Sequence, residues 1–208
     1  MRVFEQDLPQ DFLKGNALAI DTETMGLNLI RDRLALLQIS DGSTIALVKF
    51  AKNLPYDAPN LCKILSDKGK EKIFHFARFD LAIIKKYLGI NLENIFCTKI
   101  ASILVRTYSS KHSLKELCKE LFNVNISKAQ QTSYWGSNVL TNEQKDYAAN
   151  DVRYLHQIKD ILQERLVLEK RDIMAKKIFE FVPIRSDLDL LGWNDCDIFS
   201  HNIFEQSK

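Results

Sequence analysis

One apolar run in this chain ends on two acids. Ala17-Leu18-Ala19-Ile20 has the composition of a buried strand, yet it continues as Asp21-Thr22-Glu23 before Met25-Gly26 breaks it. Residues two apart on a strand share a face, so Asp21 and Glu23 project together and Thr22 turns away. A strand that delivers carboxylates to an apolar core needs something positive to meet them. Further acids are placed to join the pair. Ile73-Phe74-His75-Phe76 reads as a second strand, and Arg78 to Tyr87 as the helix after it. Asp80 lies in that helix's first turn, where the macrodipole favours a carboxylate. Thr141-Asn142-Glu143-Gln144 reads as a capping box opening a long helix, on which Tyr147 and Asp151 stack one turn apart. Divalent cations are the partners whose chemistry suits such oxygen ligands, and a pair of them serves phosphoryl chemistry.

Each piece is commonplace alone. Asp-x-Glu at a strand end is ordinarily a solvated turn, and a Tyr four residues before an Asp is ordinarily a half-buried ring beside a surface acid. Their order and contexts together carry the reading.

The 208 residues suffice for a single well-buried domain over 1–208, and no Pro-, Gly- or Ser-rich stretch marks a boundary. No apolar run approaches transmembrane length, and the N-terminal Met1-Arg2-Val3-Phe4-Glu5 lacks a signal-peptide core, so the sequence reads as cytoplasmic, with no membrane partner. Cys62, Cys97, Cys118 and Cys196 are too scattered for a zinc site or a disulfide framework and read as buried thiols. A net charge of +2 predicts few phosphate contacts rather than a grip on a long duplex. Between Lys99 and Lys128, however, six basic residues face two acidic ones, an excess of four. Part of this stretch is a solvated helix face opened by Ser113-Leu114-Lys115-Glu116, another capping-box pattern. Arg106, Tyr108, Lys111 and His112, just before that helix, are the candidate phosphate binders. His75 can be aimed at the cleft by its strand, whereas His156 reads as an ordinary helix-surface histidine.

Periodicity places strands near 17–23, 33–40, 43–50, 72–76 and 94–97, and helices near 59–66, 78–88, 98–108, 113–122 and 141–170. The first three strands are closely spaced, with Asp41-Gly42 at the second turn, and predict an antiparallel meander. The class expected is α/β, a mixed sheet of five to six strands covered by helices.

With those residues in place, the chain resembles the DEDDy branch of the DEDD 3′–5′ exonucleases, which have a ribonuclease-H-like fold. His75-Phe76-Ala77-Arg78-Phe79-Asp80-Leu81, Ser127-Lys128-Ala129-Gln130-Gln131 and Tyr147-Ala148-Ala149-Asn150-Asp151-Val152 look like ribonuclease D. The tail Leu188-Asp189-Leu190-Leu191-Gly192-Trp193, with Asp197-Ile198-Phe199, favours the short alphaproteobacterial nanoRNase C (NrnC) subgroup, and no helical RNA-binding (HRDC) domain is expected after the nuclease domain. The resemblance implies two Mg²⁺ or Mn²⁺ ions on Asp21, Glu23, Asp80 and Asp151, with Tyr147 orienting the attacking water. It implies that Gly26 and Leu27 approach the terminal bases, Leu27 as a wedge, and that Thr24, His75 and Phe79 also face substrate. The activity implied is a 3′–5′ exoribonuclease acting on very short RNAs, diribonucleotides above all, including pGpG. Arg106, Tyr108, Lys111 and His112 would then read the 5′ phosphate, within a subunit or across an interface. The resemblance further implies a ring-shaped homo-oligomer, with an octamer as the size to test. The tail from about 183 to 208, around Trp193 and Phe199, is open between an interface and packing on its own domain.

One departure stands out: ribonuclease D-like sequences usually carry Ser-Asp-Trp where this chain has Ser133-Tyr134-Trp135, so Tyr134 removes a carboxylate. Two other readings remain open, a broader nuclease trimming longer RNA or DNA 3′ ends and a catalytically silent nucleic-acid-binding subunit.

Overall fold

The computed structural model describes residues 1–127 and 129–201. A six-stranded mixed sheet runs through the centre in the order β1-β4-β3-β2-β5-β6. Its strands are β1 (Arg2–Glu5), β2 (Ala17–Thr24), β3 (Leu34–Ser40), β4 (Ile45–Lys49), β5 (Glu71–Phe74) and β6 (Ile95–Cys97). β2, β3 and β4 form the expected antiparallel meander. β5 and β6 add in parallel beyond β2, with α2 (Ala77–Leu88) connecting them. All seven residues of β3 are buried, as befits a central strand covered on both faces. α1 (Pro59–Ser66), α3 (Thr98–Val105) and α4 (Leu114–Phe122) lie close to their expected positions.

Three elements differ from the sequence reading. β1 was not expected; it pairs in parallel with β4 at the sheet edge, and its four residues are mostly exposed, leaving no buried face to signal it. The helix expected over 141–170 is two helices, α5 (Asn142–Arg153) and α6 (Leu155–Leu168), hinged at Tyr154. A further helix, α7 (Asp172–Leu188), follows a turn at Lys170, which takes a left-handed φ of 56°. The charged run Glu169-Lys170-Arg171-Asp172 and the internal Pro183 hide it in the sequence.

As far as it is described, the C-terminal segment touches α2 and α7 while leaving Trp193 40% and Phe199 78% exposed. α7 lies against α2, and the buried Asp189 pairs with Arg78 of α2 and, at 3.0 Å, with Arg185 of α7. Phe199 reaches Phe181 with ring centroids 5.9 Å apart. Residues 202–208 of the expected tail lie outside the described residues, as does Lys128. Of the four cysteines, Cys97 and Cys118 are buried, whereas Cys62 and Cys196 are only partly so, which corrects the reading of all four as buried thiols. Among the described residues no helix is long and apolar enough to cross a membrane.

Candidate active site

β2 leaves the core carrying its two acids. Asp21 pairs with Gln38 of β3 and Glu23 with Leu36, and a bulge after Glu23 ends the regular ladder. α5 then crosses β2, β3 and β4. Its start is fixed by a complete capping box, Gln144 N–H donating to Thr141 Oγ1 at 3.2 Å and Thr141 N–H to Gln144 Oε1 at 3.0 Å. Such a cap contributes about 1 kcal/mol and sets the rotation that turns Tyr147 and Asp151 towards β2.

Asp21, Glu23 and Asp151 each offer a carboxylate oxygen, and these oxygens all lie within 4.8 Å of one another. Asp80 stands beside this trio, its Oδ1 accepting from Thr22 Oγ1 at 2.6 Å. Thr22 therefore does more than turn away from the acids; it fixes the fourth carboxylate from the strand that carries the first two. The Tyr147 hydroxyl lies beside Asp151 and favours its ionised form, and its ring packs on the buried Trp135 with centroids 6.0 Å apart.

Burial governs the electrostatics. Removal from water lifts Asp21 to about 7, with the Thr22 backbone N–H pulling the other way. Burial also lifts Glu23 to about 10, helped by Asp21, Asp151 and Asp80, and Asp151 to about 9, helped by Asp21. Asp80 rises well above the carboxylate range from burial and from Asp21, against the Thr22 hydrogen bond. Burial and the carboxylates of Asp151, Glu23 and Asp21 push the Tyr147 phenol far above its ordinary value. Four acids that resist ionising together describe a site designed for a countercharge. The donor set, hard oxygens on three elements, fits Mg²⁺ or Mn²⁺.

The acids line an open cleft of about 520 Å³. Thr24, Leu27, His75 and Phe79 also line it, and Leu27 is 86% exposed at its rim. Gly26 shapes that rim without lining the cleft. A Cβ there would fall 2.2 Å from Asp32 Oδ2, and that carboxylate anchors the turn by accepting from Asn28 N–H at 2.9 Å. Thr24 Oγ1 closes the same turn on the Gly26 carbonyl. Because the Thr98 hydroxyl donates to the Phe74 carbonyl at 3.1 Å, it accepts from His75 Nδ1 at 2.9 Å, which places a proton on Nδ1.

The four candidate phosphate readers lie elsewhere. Arg106 is 1% exposed and fully engaged, with Glu120 through two nitrogens, with Ser102 Oγ at 3.0 Å and with the Lys111 carbonyl at 2.7 Å. It is a structural ion-pair residue in this fold, which corrects its reading as a phosphate ligand. Tyr108 donates to the same Glu120, His112 Nδ1 meets Ser102 Oγ at 2.8 Å, and the exposed Lys111 is, with them, absent from the cleft wall. Among the described residues, the lysines that do line the cleft are Lys99 and Lys115. Lys99 Nζ sits 4.2 Å from the centroid of Phe76, an exposed residue at a left-handed φ of 75°. Both lysines belong to the basic stretch noted in the sequence, but only the packing of α3 and α4 separates them from their neighbours. Tyr134 is 64% exposed and does not line the cleft. At Ser113 the hydroxyl accepts from Glu116 N–H at 3.4 Å, one half of the expected box.

Fold and site together define a DEDD-type 3′–5′ exonuclease. The family model described as 3′–5′ exonuclease matches residues 4–167, and the chain belongs to that family. Among solved structures it is similar to Brucella melitensis NrnC at 49% identity and a TM-score of 0.93, covering 97% of this chain and 98% of that one. NrnC bound to pGG matches at 48% identity and TM-score 0.92 with the same coverage, and NrnC with bound Mg²⁺ at 47% and 0.91. Ribonuclease D of Desulfotalea psychrophila is 31% identical over 74% of this chain, and DNA polymerase I of Aquifex aeolicus 34% over 78%. Those alignments cover only 41% and 28% of the two relatives, so the chain spans less than half the length of either. The relationship and the acid cluster make the cofactor a divalent cation.

Proposed function

We propose that this chain is a 3′–5′ exoribonuclease that finishes very short RNAs, diribonucleotides including pGpG above all, and releases 5′-mononucleotides. The observation that carries the reading is the cluster of Asp21, Glu23 and Asp151 with Asp80 beside it. We infer that Asp21, Glu23, Asp80 and Asp151 together would hold two divalent cations. When bound, they supply an acidified water and neutralise charge at the reacting phosphate. Without cations, burial and the neighbouring carboxylates hold the Tyr147 phenol protonated, and the part proposed for it is to hold the attacking water by a hydrogen bond. Water adds to phosphorus, the bond to the departing 3′-oxygen breaks, and that oxygen takes up a proton. Leu27, Phe76 and Phe79 offer apolar surface on which two bases can lie, and Lys99 and Lys115 offer charge for the 5′ phosphate.

A cleft of about 520 Å³ with, among the described residues, two lysines on its wall suits a substrate with few phosphates. The likeness to NrnC, whose structure with pGG aligns along nearly the whole chain, supports the same substrate class. From the family resemblance noted in the sequence, a ring-shaped homo-oligomer in the cytoplasm is also proposed. The broader trimming of longer RNA or DNA ends is favoured by the ribonuclease D relatives. Turnover of 5′-labelled RNAs of two to seven nucleotides with Mn²⁺, against an Asp21→Ala control, separates the readings. Cleavage of the dimer orders of magnitude faster than of longer chains is expected. Equal rates at all lengths would establish the broader nuclease, and no turnover a silent binding subunit.

A further inference from the structure

Gln38 is completely buried in the middle of β3, and among the described residues neither its Oε1 nor its Nε2 has a hydrogen-bond partner. Buried amides are almost always satisfied, and one that is not, at the centre of a sheet, calls for a reason. Its position supplies one. On one side Gln38 is the direct antiparallel partner of Asp21, and on the other side of Leu47 in β4. Directly opposed residues of an antiparallel pair point to the same face, with Cβ atoms about 4.5–5.5 Å apart. The same row therefore runs Asp21, Gln38, Leu47 across the sheet, beneath α5. Leu36, Leu47, Trp135 and Ala148 make that face apolar, with the Tyr147 ring packed against it. Apart from Asp21, the row itself offers the Gln38 amide nothing polar.

We propose that Gln38 is a positioning residue for the metal site: its Nε2–H₂ donates to the sheet-facing oxygen of Asp21 when cations are bound, and so fixes which oxygen meets the metal. An ionised carboxylate has about four acceptor sites. A cation in the cleft uses those that face the cleft and leaves the sheet side in need of a donor, and the amide stands there. Hydrogen bonds of this kind orient ligands and typically change metal affinity 10–100-fold. The reading rests on divalent-cation binding by the acid cluster. The competing account is an ordered water shared by Gln38 and Trp135 Nε1, which is likewise buried without a partner on that face.

Gln38→Met keeps length and volume and removes both polar atoms. Mn²⁺ titration by calorimetry on the full chain is expected to give a Kd raised about tenfold or more. The melting temperature in EDTA should hold or rise, because two unsatisfied atoms disappear. Turnover lost at low Mn²⁺ should return at high Mn²⁺, a shift in metal requirement that a purely structural residue would not produce. A Kd within twofold of the parent overturns the proposal whatever the melting temperature does, while leaving the metal site itself intact. A parent chain that binds no Mn²⁺ would overturn both. Should the variant not fold, a crystal structure of the parent with Mn²⁺ decides: Nε2 within about 3.2 Å of an Asp21 oxygen supports the role. Gln38 bonded only to water or to Trp135 overturns it.

Discussion

Tyr147 shows how much a single residue here depends on its neighbours. Its ring is fixed against Trp135 and its hydroxyl lies beside Asp151, so the phenol oxygen sits at the edge of the acid cluster. Tyr147→Phe keeps the ring contact and deletes only the hydroxyl. Turnover of a short RNA is expected to fall about 100-fold or more, the scale of a lost positioned proton donor. Mn²⁺ affinity and melting temperature should stay close to those of the parent, because the four carboxylates and the aromatic packing remain. Near-parent turnover would remove Tyr147 from the chemistry. Asp21, Glu23, Asp80, Tyr147 and Asp151 were legible in the sequence because strand and helix periodicity fixes which way each points once its element is recognised. Gln38 was not: inside Leu36-Leu37-Gln38-Ile39 it reads as one polar residue in an apolar strand, and its opposition to Asp21 appears only with the register.

Elements decided what the residues could not. The basic stretch of the sequence becomes two populations once α3 and α4 pack. Lys99 and Lys115 reach the cleft, while Arg106 turns inward to tie the end of α3 to Glu120 of α4. Spacing does not distinguish them, because burial of a guanidinium depends on a partner that arrives from another helix. The break at Tyr154 is of the same kind: no Gly or Pro announces it, and the ring instead stacks on Phe122 of α4 at 6.0 Å. β1 escaped notice for want of a buried face, whereas the meander was legible from its apolar runs and short connections. Arg106→Met should therefore act on stability. It strips donors from Glu120, Ser102 and the Lys111 carbonyl, and a loss of about 2 kcal/mol is expected, less than for a fully buried pair because Glu120 is partly exposed. For a chain of this size that lowers the melting temperature by roughly 4–8 °C. KM for a short RNA should hardly change. Lys115→Ala should do the reverse, raising KM several-fold at low salt with little change in melting. A KM effect confined to Arg106 would return the phosphate-reading role to it.

For the whole molecule, the acid cluster makes folding and metal binding one problem. In an unfolded chain the carboxyls titrate near their ordinary values, about 3.9 for Asp and 4.3 for Glu. In the folded protein Asp21 is lifted to about 7, Asp151 to about 9 and Glu23 to about 10, chiefly by burial. Between the two sets of values the folded state holds protons that the unfolded state has released, so stability falls as pH rises. The contribution is fully present below about pH 4, and the Asp21 part is lost as pH climbs through about 7. With EDTA present, the melting temperature should thus decline steadily from pH 5 to pH 8, and Asp21→Asn should flatten that decline. Cations reverse the balance by taking the protons' place. Saturation at 100 times Kd adds about 2.7 kcal/mol, and because binding displaces protons the gain grows with pH. Titrating Mn²⁺ in buffers of different ionisation enthalpy at pH 6.5 should reveal net proton release, larger than at pH 8. Stability without metal that is indifferent to pH across this range, together with metal uptake that releases no protons, would mean that the acids are ionised before the cation arrives. The countercharge would then be supplied by the protein itself, and Lys99 and Lys115, the lysines on the cleft wall among the described residues, would be the first to test.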